Sequence, residues 1–231
     1  MNSKFYNTII IFFIALLSCN NTDNTKNGLP NETVQNETTA DNALSNAQTT
    51  EFQTGDIIFQ TSTSDQSKAI QLATKSKYSH VGIIVKNNKG ILNVFEAYKG
   101  VDRVHLDEWI ARGENSKYVV KRLINSENIL TTSNVMKLRK YAKTFKGKNY
   151  DAYFNWSDDE IYCSELVWKL YKNGLDIELG KLQKLGDLDL SDTLVKQKLS
   201  ERYGNNIPLN ENIITPAAIF NSPLLETVFE N

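Results

Sequence analysis

Two β-rich runs, Val81 to Lys86 and Ile91 to Tyr98, are separated only by Asn87-Asn88-Lys89-Gly90, a hairpin signal. So short a link joins antiparallel neighbours, because a parallel pair needs a crossover of about a dozen residues or more. Further strand candidates flank the pair: Gly55 to Gln60 before it, Val101 to Leu106 and Tyr118 to Leu123 after it. Helical patterns cover Ser64 to Lys75, with Ser64 as N-cap, then Asp107 to Ala111, Ser133 to Phe145 and Ser191 to Tyr203. Thr215-Pro216 makes an N-cap and N1 pair for one more helix. A contiguous antiparallel block with helices before and after predicts an α+β fold, its sheet packed against helices.

The first fifty residues do not fit that pattern. Lys4 gives a short positive start, and Ile9 to Leu17 is an apolar run too short for a comfortable membrane span. It ends in Leu16-Leu17-Ser18-Cys19, which resembles the lipobox of bacterial lipoproteins. That resemblance implies a signal peptide over residues 1–18 and lipidation of Cys19, hence an expected place in the bacterial cell envelope as a lipid-anchored protein. Residues 20–50 are about half Asn and Thr and contain no aromatic residue. Such a segment buries too little apolar surface to offset its ordering entropy. It reads as a tether with a reach of roughly 30 Å. Residues 51–231 then form one domain with an adequate core.

Several function classes are excluded. The net charge is −1 at pH 7 and no basic run occurs, so nucleic acid is not an expected partner. The chain has two cysteines and two histidines, none at zinc spacing, so neither metal nor organic cofactor is expected. With Cys19 acylated, no disulfide forms within the chain, and Cys163 is the thiol left free.

Cys163 lies in Ile161-Tyr162-Cys163-Ser164-Glu165-Leu166, near the start of an amphipathic helix. A helix N-terminus favours thiolate over thiol, and the thiolate is the nucleophile. Ser157-Asp158-Asp159-Glu160 matches a capping box that would introduce this helix, and Gly174 is a natural C′ stop. A loop running up to Ile161 would suit the chemistry better, because the dipole fades beyond the first turn.

The hairpin supplies a base. With Asn87-Asn88-Lys89 as the loop, Ile84 faces Leu92, Gly82 faces Val94 and His80 faces Glu96, all on one side of the ribbon. An imidazole then meets a carboxylate on an otherwise aliphatic face, where an unpaired charge is costly. Glu96 would fix the ring through one nitrogen and leave the other for a thiol. A two-residue loop would put Glu96 on the opposite face. His105 is a weaker candidate, in the polar stretch Asp102-Arg103-Val104-His105. Ser164, Glu165 and Asp151 read as structural or supporting.

The ordered set Gly55-Asp56-Ile57-Ile58-Phe59, Ser79-His80-Val81-Gly82-Ile83, Phe95-Glu96-Ala97, Tyr150-Asp151 and Tyr162-Cys163-Ser164-Glu165-Leu166 resembles the YiiX-like branch of the NlpC superfamily. These are circularly permuted papain-fold cysteine hydrolases, and the resemblance runs from about Gly55 to Gly174. It implies Cys163 as nucleophile, His80 as base and Glu96 as orienting acid, with Tyr162 and Ser164 as oxyanion or supporting residues. It also implies amide-bond hydrolysis through an acyl-thioester, on an envelope peptide or an acyl-amide. Acyl transfer or lipid-amide hydrolysis on the same pair is the first alternative. A binding lipoprotein without catalysis is the second, although loss of the Cys or His would be its usual sign.

Overall fold

The computed structural model describes residues 51–231. The expected signal peptide, Cys19 and the tether lie outside the described residues. In chain order the elements are β1 (Ile57–Ser62), α1 (Asp65–Thr74), β2 (His80–Lys86), β3 (Leu92–Ala97), β4 (Val101–His105), α2 (Leu106–Ala111) and β5 (Gly113–Leu123). Then come α3 (Ser126–Ile129), α4 (Thr132–Phe145), α5 (Cys163–Leu175), β6 (Gln183–Lys184), α6 (Thr193–Tyr203), β7 (Asn212–Ile213), α7 (Pro216–Phe220) and β8 (Leu225–Glu230). Six strands form one antiparallel sheet in the order β4-β3-β2-β1-β5-β8, and β6 with β7 makes a small ribbon. The α+β expectation holds. Strand β8, which the sequence pattern did not indicate, adds beside β5.

Alternation divides the sheet's side chains between two apolar layers. Ile57, Phe59, Val81, Ile83 and Phe95 point into the main core, against Leu166, Val167, Leu170 and Tyr171 of α5 and Leu138 of α4. Ile58, Ile84, Val94 and Val120 point the other way, onto Leu106 and Trp109 of α2. A third cluster joins Ala69 and Ala73 of α1 to Val195 and Leu199 of α6, with Leu185 and Ile213. Local chemistry fixes the helix ends that matter. Ser64 Oγ accepts the Ser67 N–H at 3.2 Å to start α1, and Lys75 ends it with φ +52°. Thr215 Oγ1 caps α7 through the Ala218 N–H at 3.0 Å, with Pro216 in the first turn.

Three expectations need correction. The β2–β3 register pairs Ile84 with Val94 and Lys86 with Leu92, so the loop is longer than three residues. Asn87 holds it, its Oδ1 accepting the N–H groups of Lys89 (2.9 Å) and Ile91 (3.0 Å). Continued, this register puts Gly82, not His80, opposite Glu96. The slip is two residues, an even number, so His80 and Glu96 keep a common face. Second, Ser157 to Glu160 do not cap α5. The helix begins at Cys163 with Tyr162 as N-cap, and the preceding chain is tied down by the Ile161 N–H bonding Asn149 O at 3.1 Å. Third, Gly174 is not the helix stop. Asp176 ends α5 with φ +57°, and Gly174 is instead where α4 crosses closely, a Cβ there standing 3.0 Å from Leu138 Cδ2.

Candidate active site

His80 is the first residue of β2 and its side chain belongs to the α2 layer, whereas Cys163 opens α5 on the opposite layer. At the end of a strand groups from both faces of a sheet can meet, and there the Cys163 side chain comes close enough to the imidazole to act on it. Both are buried, with Cys163 4% and His80 6% exposed. As the N1 residue, Cys163 presents its amide where no intrahelical acceptor exists, and the positive end of the helix dipole faces the sulfur. The loop running up to Ile161 is thus the arrangement found.

Glu96 orients the ring. Its Oε2 lies 2.6 Å from His80 Nε2 and accepts the Trp109 indole N–H at 2.8 Å. Its Oε1 accepts from Arg112. With Nε2 committed to the carboxylate, Nδ1 is the nitrogen left for the thiol. The Trp109 ring stacks on the imidazole, centroids 5.8 Å apart at 25°, and Tyr98 meets it edge-on at 5.9 Å. Arg112 lies over the Tyr98 ring at 4.5 Å. Burial acts most strongly on His80 and acts to lower its pKa. The Cys163 and Glu96 interactions outweigh it and raise the pKa to about 9. Burial likewise acts to raise Glu96, but His80 and Arg112 more than reverse it and hold the carboxyl below its ordinary range.

The sequence did not identify Trp109 and Arg112 as partners of Glu96. Trp109 left one signal, since a Trp in a short helix, if buried, needs an acceptor for its N–H. Arg112 follows that helix in an ordinary polar stretch and left none. Gln60, opposite His80 across β1 and β2, was also missed; its buried Oε1 has no hydrogen-bond partner among the described residues.

The remaining candidates fall into place as supports. The Tyr162 hydroxyl accepts the Ile214 N–H at 3.1 Å, and Ser164 Oγ donates to Ile214 O at 2.8 Å. Both side chains therefore pin the start of α5 to the segment before α7. Glu165 is fully buried and accepts the Tyr162 N–H at 3.4 Å. Lys169 pairs with it at 2.8 Å and also reaches Ser157 O (2.5 Å) and Asp158 (2.6 Å). Burial pushes the Glu165 pKa up to about 7 against the opposing pull of Lys169. Asp151 is buried and its Oδ1 accepts the Tyr153 N–H at 2.7 Å, which shapes the loop before Cys163. His105 is half exposed and pairs with Asp107 at 3.5 Å, apart from the dyad. Among the described residues, no group of three or more His, Cys, Asp or Glu is arranged to hold a metal ion.

Comparison with known proteins bears on this geometry. The sequence profile described as "Permuted papain-like amidase enzyme, YaeF/YiiX, C92 family" matches residues 51–229. The uncharacterized protein YiiX of Escherichia coli K12 is 53% identical over 176 residues, covering 76% of this chain and 85% of that protein. A crystal structure described as that of metalloprotein yiiX from Escherichia coli O157:H7 matches with a TM-score of 0.73 at 53% identity, over 78% of this chain and 97% of that one.

Proposed function

The chain belongs to the permuted papain-like amidase family, and from that premise we propose that it is a cysteine amidase with Cys163 as nucleophile, His80 as general acid–base and Glu96 as the orienting carboxylate. One observation carries the reading. A buried imidazole is held between a carboxylate and a thiol at the start of a helix, with its pKa raised to about 9, so it stays protonated near neutral pH. A thiolate–imidazolium pair is the form such an enzyme needs.

The steps follow from the geometry. With the Cys163 proton already on His80 Nδ1, the thiolate sulfur attacks the amide carbon. The tetrahedral oxyanion forms beside the Cys163 amide at the positive end of α5. The C–N bond breaks as His80 gives its proton to the departing nitrogen, leaving an acyl-thioester on sulfur. Water, deprotonated by His80, cleaves the S–C bond and releases the acid. Tyr162 and Ser164 serve by fixing the helix start through Ile214. The description of the E. coli crystal structure implies a metal for that protein. The donors here do not fit one, since among the described residues no three such side chains are arranged to hold a metal ion and Glu96 occupies His80 Nε2, so no step runs through a metal.

We place the substrate in the bacterial envelope, as a cell-wall peptide or related amide, with the chain anchored through Cys19. This rests on the lipobox-like segment Leu16 to Cys19. Iodoacetamide labelling followed by peptide mass spectrometry tests the core of the reading. Cys163 should label near pH 7, and His80→Ala should slow labelling at least tenfold. A Cys163 that resists labelling in the folded protein would point instead to a scaffold that binds without reacting. Globomycin-sensitive processing and [3H]palmitate incorporation at Cys19, abolished by Cys19→Ala, test the anchor.

A further inference from the structure

A cavity of about 420 Å³ lies between α4 and the β2–β3 hairpin. Lys86, at the far end of β2 from His80, is on its rim, so six residues of strand, about 20 Å, separate it from the imidazole. Neither His80, Glu96 nor Cys163 lines it. Its floor is apolar. Ile83, Phe95, Leu138 and Leu170 are buried there, and Val85 and Ala142 are half-buried beside them.

The rim carries the opposite chemistry. Lys86, Lys89, Arg103, Arg139, Lys143 and Lys146 line the cavity, and among the described residues no Asp or Glu does. The whole chain is nearly neutral, at −1, so this gathering is not a general excess of base. Lys86 meets Glu51 at 2.5 Å and Lys146 meets Asp102 at 3.6 Å. Arg139 gives an N–H to Lys86 O at 3.4 Å. The side chains of Lys89, Arg103 and Lys143 have no acidic partner among the described residues. The fold gathers them from separate elements. Helix α4 carries Lys137, Arg139, Lys140 and Lys143 and no Asp or Glu, and Arg139 and Lys143, four apart, share a side. Arg103 stands opposite Phe95 in the β3–β4 register, so it leaves the sheet on the face that floors the cavity. Like charges brought together repel, and an anion among them relieves that repulsion.

We propose that this cavity binds a single-chain anionic lipid, its carboxylate or phosphate held by Lys89, Arg103 and Lys143 and its chain lying on the Phe95, Leu138 and Leu170 floor. Both halves of the site decide the ligand. A small phosphate or a sugar phosphate would leave the apolar floor uncovered, and a neutral amphiphile would leave the cations unmet. The volume falls within the range of clefts that enclose a drug-sized ligand, which fits one acyl chain. The source is a membrane. Glu51 is the first described residue and sits on this rim through Lys86, so the tether expected from the sequence joins the domain beside the cavity. The site stands apart from amide cleavage and does not depend on it.

Equilibrium dialysis of the full chain against radiolabelled decyl phosphate, below its micellar concentration, tests this. Binding should saturate at one molecule per chain and weaken as salt rises. Inorganic phosphate and decyl maltoside should each bind at least tenfold more weakly. Octyl phosphate, two methylenes shorter, should lose about fourfold per methylene. Arg103→Met and Lys143→Met should each weaken decyl phosphate about fivefold. Both side chains are exposed, so these variants should fold, and iodoacetamide labelling of Cys163 should be unchanged in them. Cys163→Ala should bind decyl phosphate like the parent chain, which separates this site from the dyad. Inorganic phosphate binding as tightly as decyl phosphate would reduce the site to a plain anion patch and overturn the proposal. Equal binding of decyl maltoside, or indifference to both cation substitutions, would overturn it too. So would capture of the chain by phosphatidylglycerol vesicles without any binding of decyl phosphate, since that marks a flat membrane-facing surface and not a lipid cavity.

Discussion

Glu96 on the sheet and Glu165 under the helix are both buried carboxylates beside the dyad, 5% and 0% exposed, and their surroundings drive them in opposite directions. Burial raises both. Glu96 meets an imidazole, an indole N–H and a guanidinium, and these donors reverse the effect. Glu165 meets one ammonium, shared with Ser157 O and Asp158, and one long backbone bond, and its pKa stays up at about 7. Depth alone therefore does not decide a carboxylate's charge; the number of donors aimed at it does. The sheet side keeps an anion beside the imidazole. The helix side keeps a group that is partly neutral near pH 7, which suits a support.

That contrast can be broken most sharply at Glu96. Glu96→Gln should lower kcat/KM about 10²- to 10⁴-fold. It should also bring the alkaline limb of the pH–rate profile down from about 9 toward the ordinary histidine value of 6.5, because Cys163 is then the one partner left to raise His80 against its burial. An unmoved limb would show that Glu96 does not set the imidazole. Next in size is Lys169→Met. Above pH 8 it leaves Glu165 buried without its cation and should cost about 3 kcal/mol or more in unfolding free energy. Below pH 5 a protonated Glu165 needs no cation, so the loss should be small. Urea unfolding at the two pH values measures the difference.

A third prediction concerns Glu165 itself. Its pKa is raised from 4.5 to about 7 in the folded chain, so the native state holds an extra proton and stability falls as pH rises between those values. The loss is on the order of 3 kcal/mol. His80 continues the decline, since its stabilisation is complete below 6.5 and lost as pH climbs through about 9. Glu165→Gln should flatten the first part of the slope and leave the second, as thermal unfolding across pH 4.5–9 would record. The smallest effect is expected at Arg112→Met. Without the guanidinium, Glu96 holds the His80 proton more strongly, and the alkaline limb should move up, opposite in sign to Glu96→Gln. Movement downward in both variants would mean that Arg112 acts on the ring by packing rather than by charge.

Much of this site was legible because alternation is robust to the error made. The hairpin register was misread by two residues, and His80 and Glu96 still share a face because parity survives an even shift. Cys163 stood out as a thiol before an amphipathic run. The capping-box motif at Ser157 to Glu160 misled because Ser157 and Asp158 are used to bind Lys169 rather than amides of α5. Trp109 and Arg112 were invisible as partners because α2 docks on the sheet through tertiary packing that no local period encodes. Strand β8 was missed for a related reason. Leu225 to Glu230 is short, mostly polar toward solvent, and is a strand because β5 offers it an edge.

The two hydrogen bonds at Ile214 bear on when this protein becomes reactive. They hold the residues on either side of Cys163, yet Ser164 and Ile214 are 50 positions apart. On the ribosome, Cys163 is added before the segment that sets its surroundings. The nascent chain would thus carry an unprimed thiol for a time, and the surroundings of Cys163 would be complete only after Ile214 had emerged and docked.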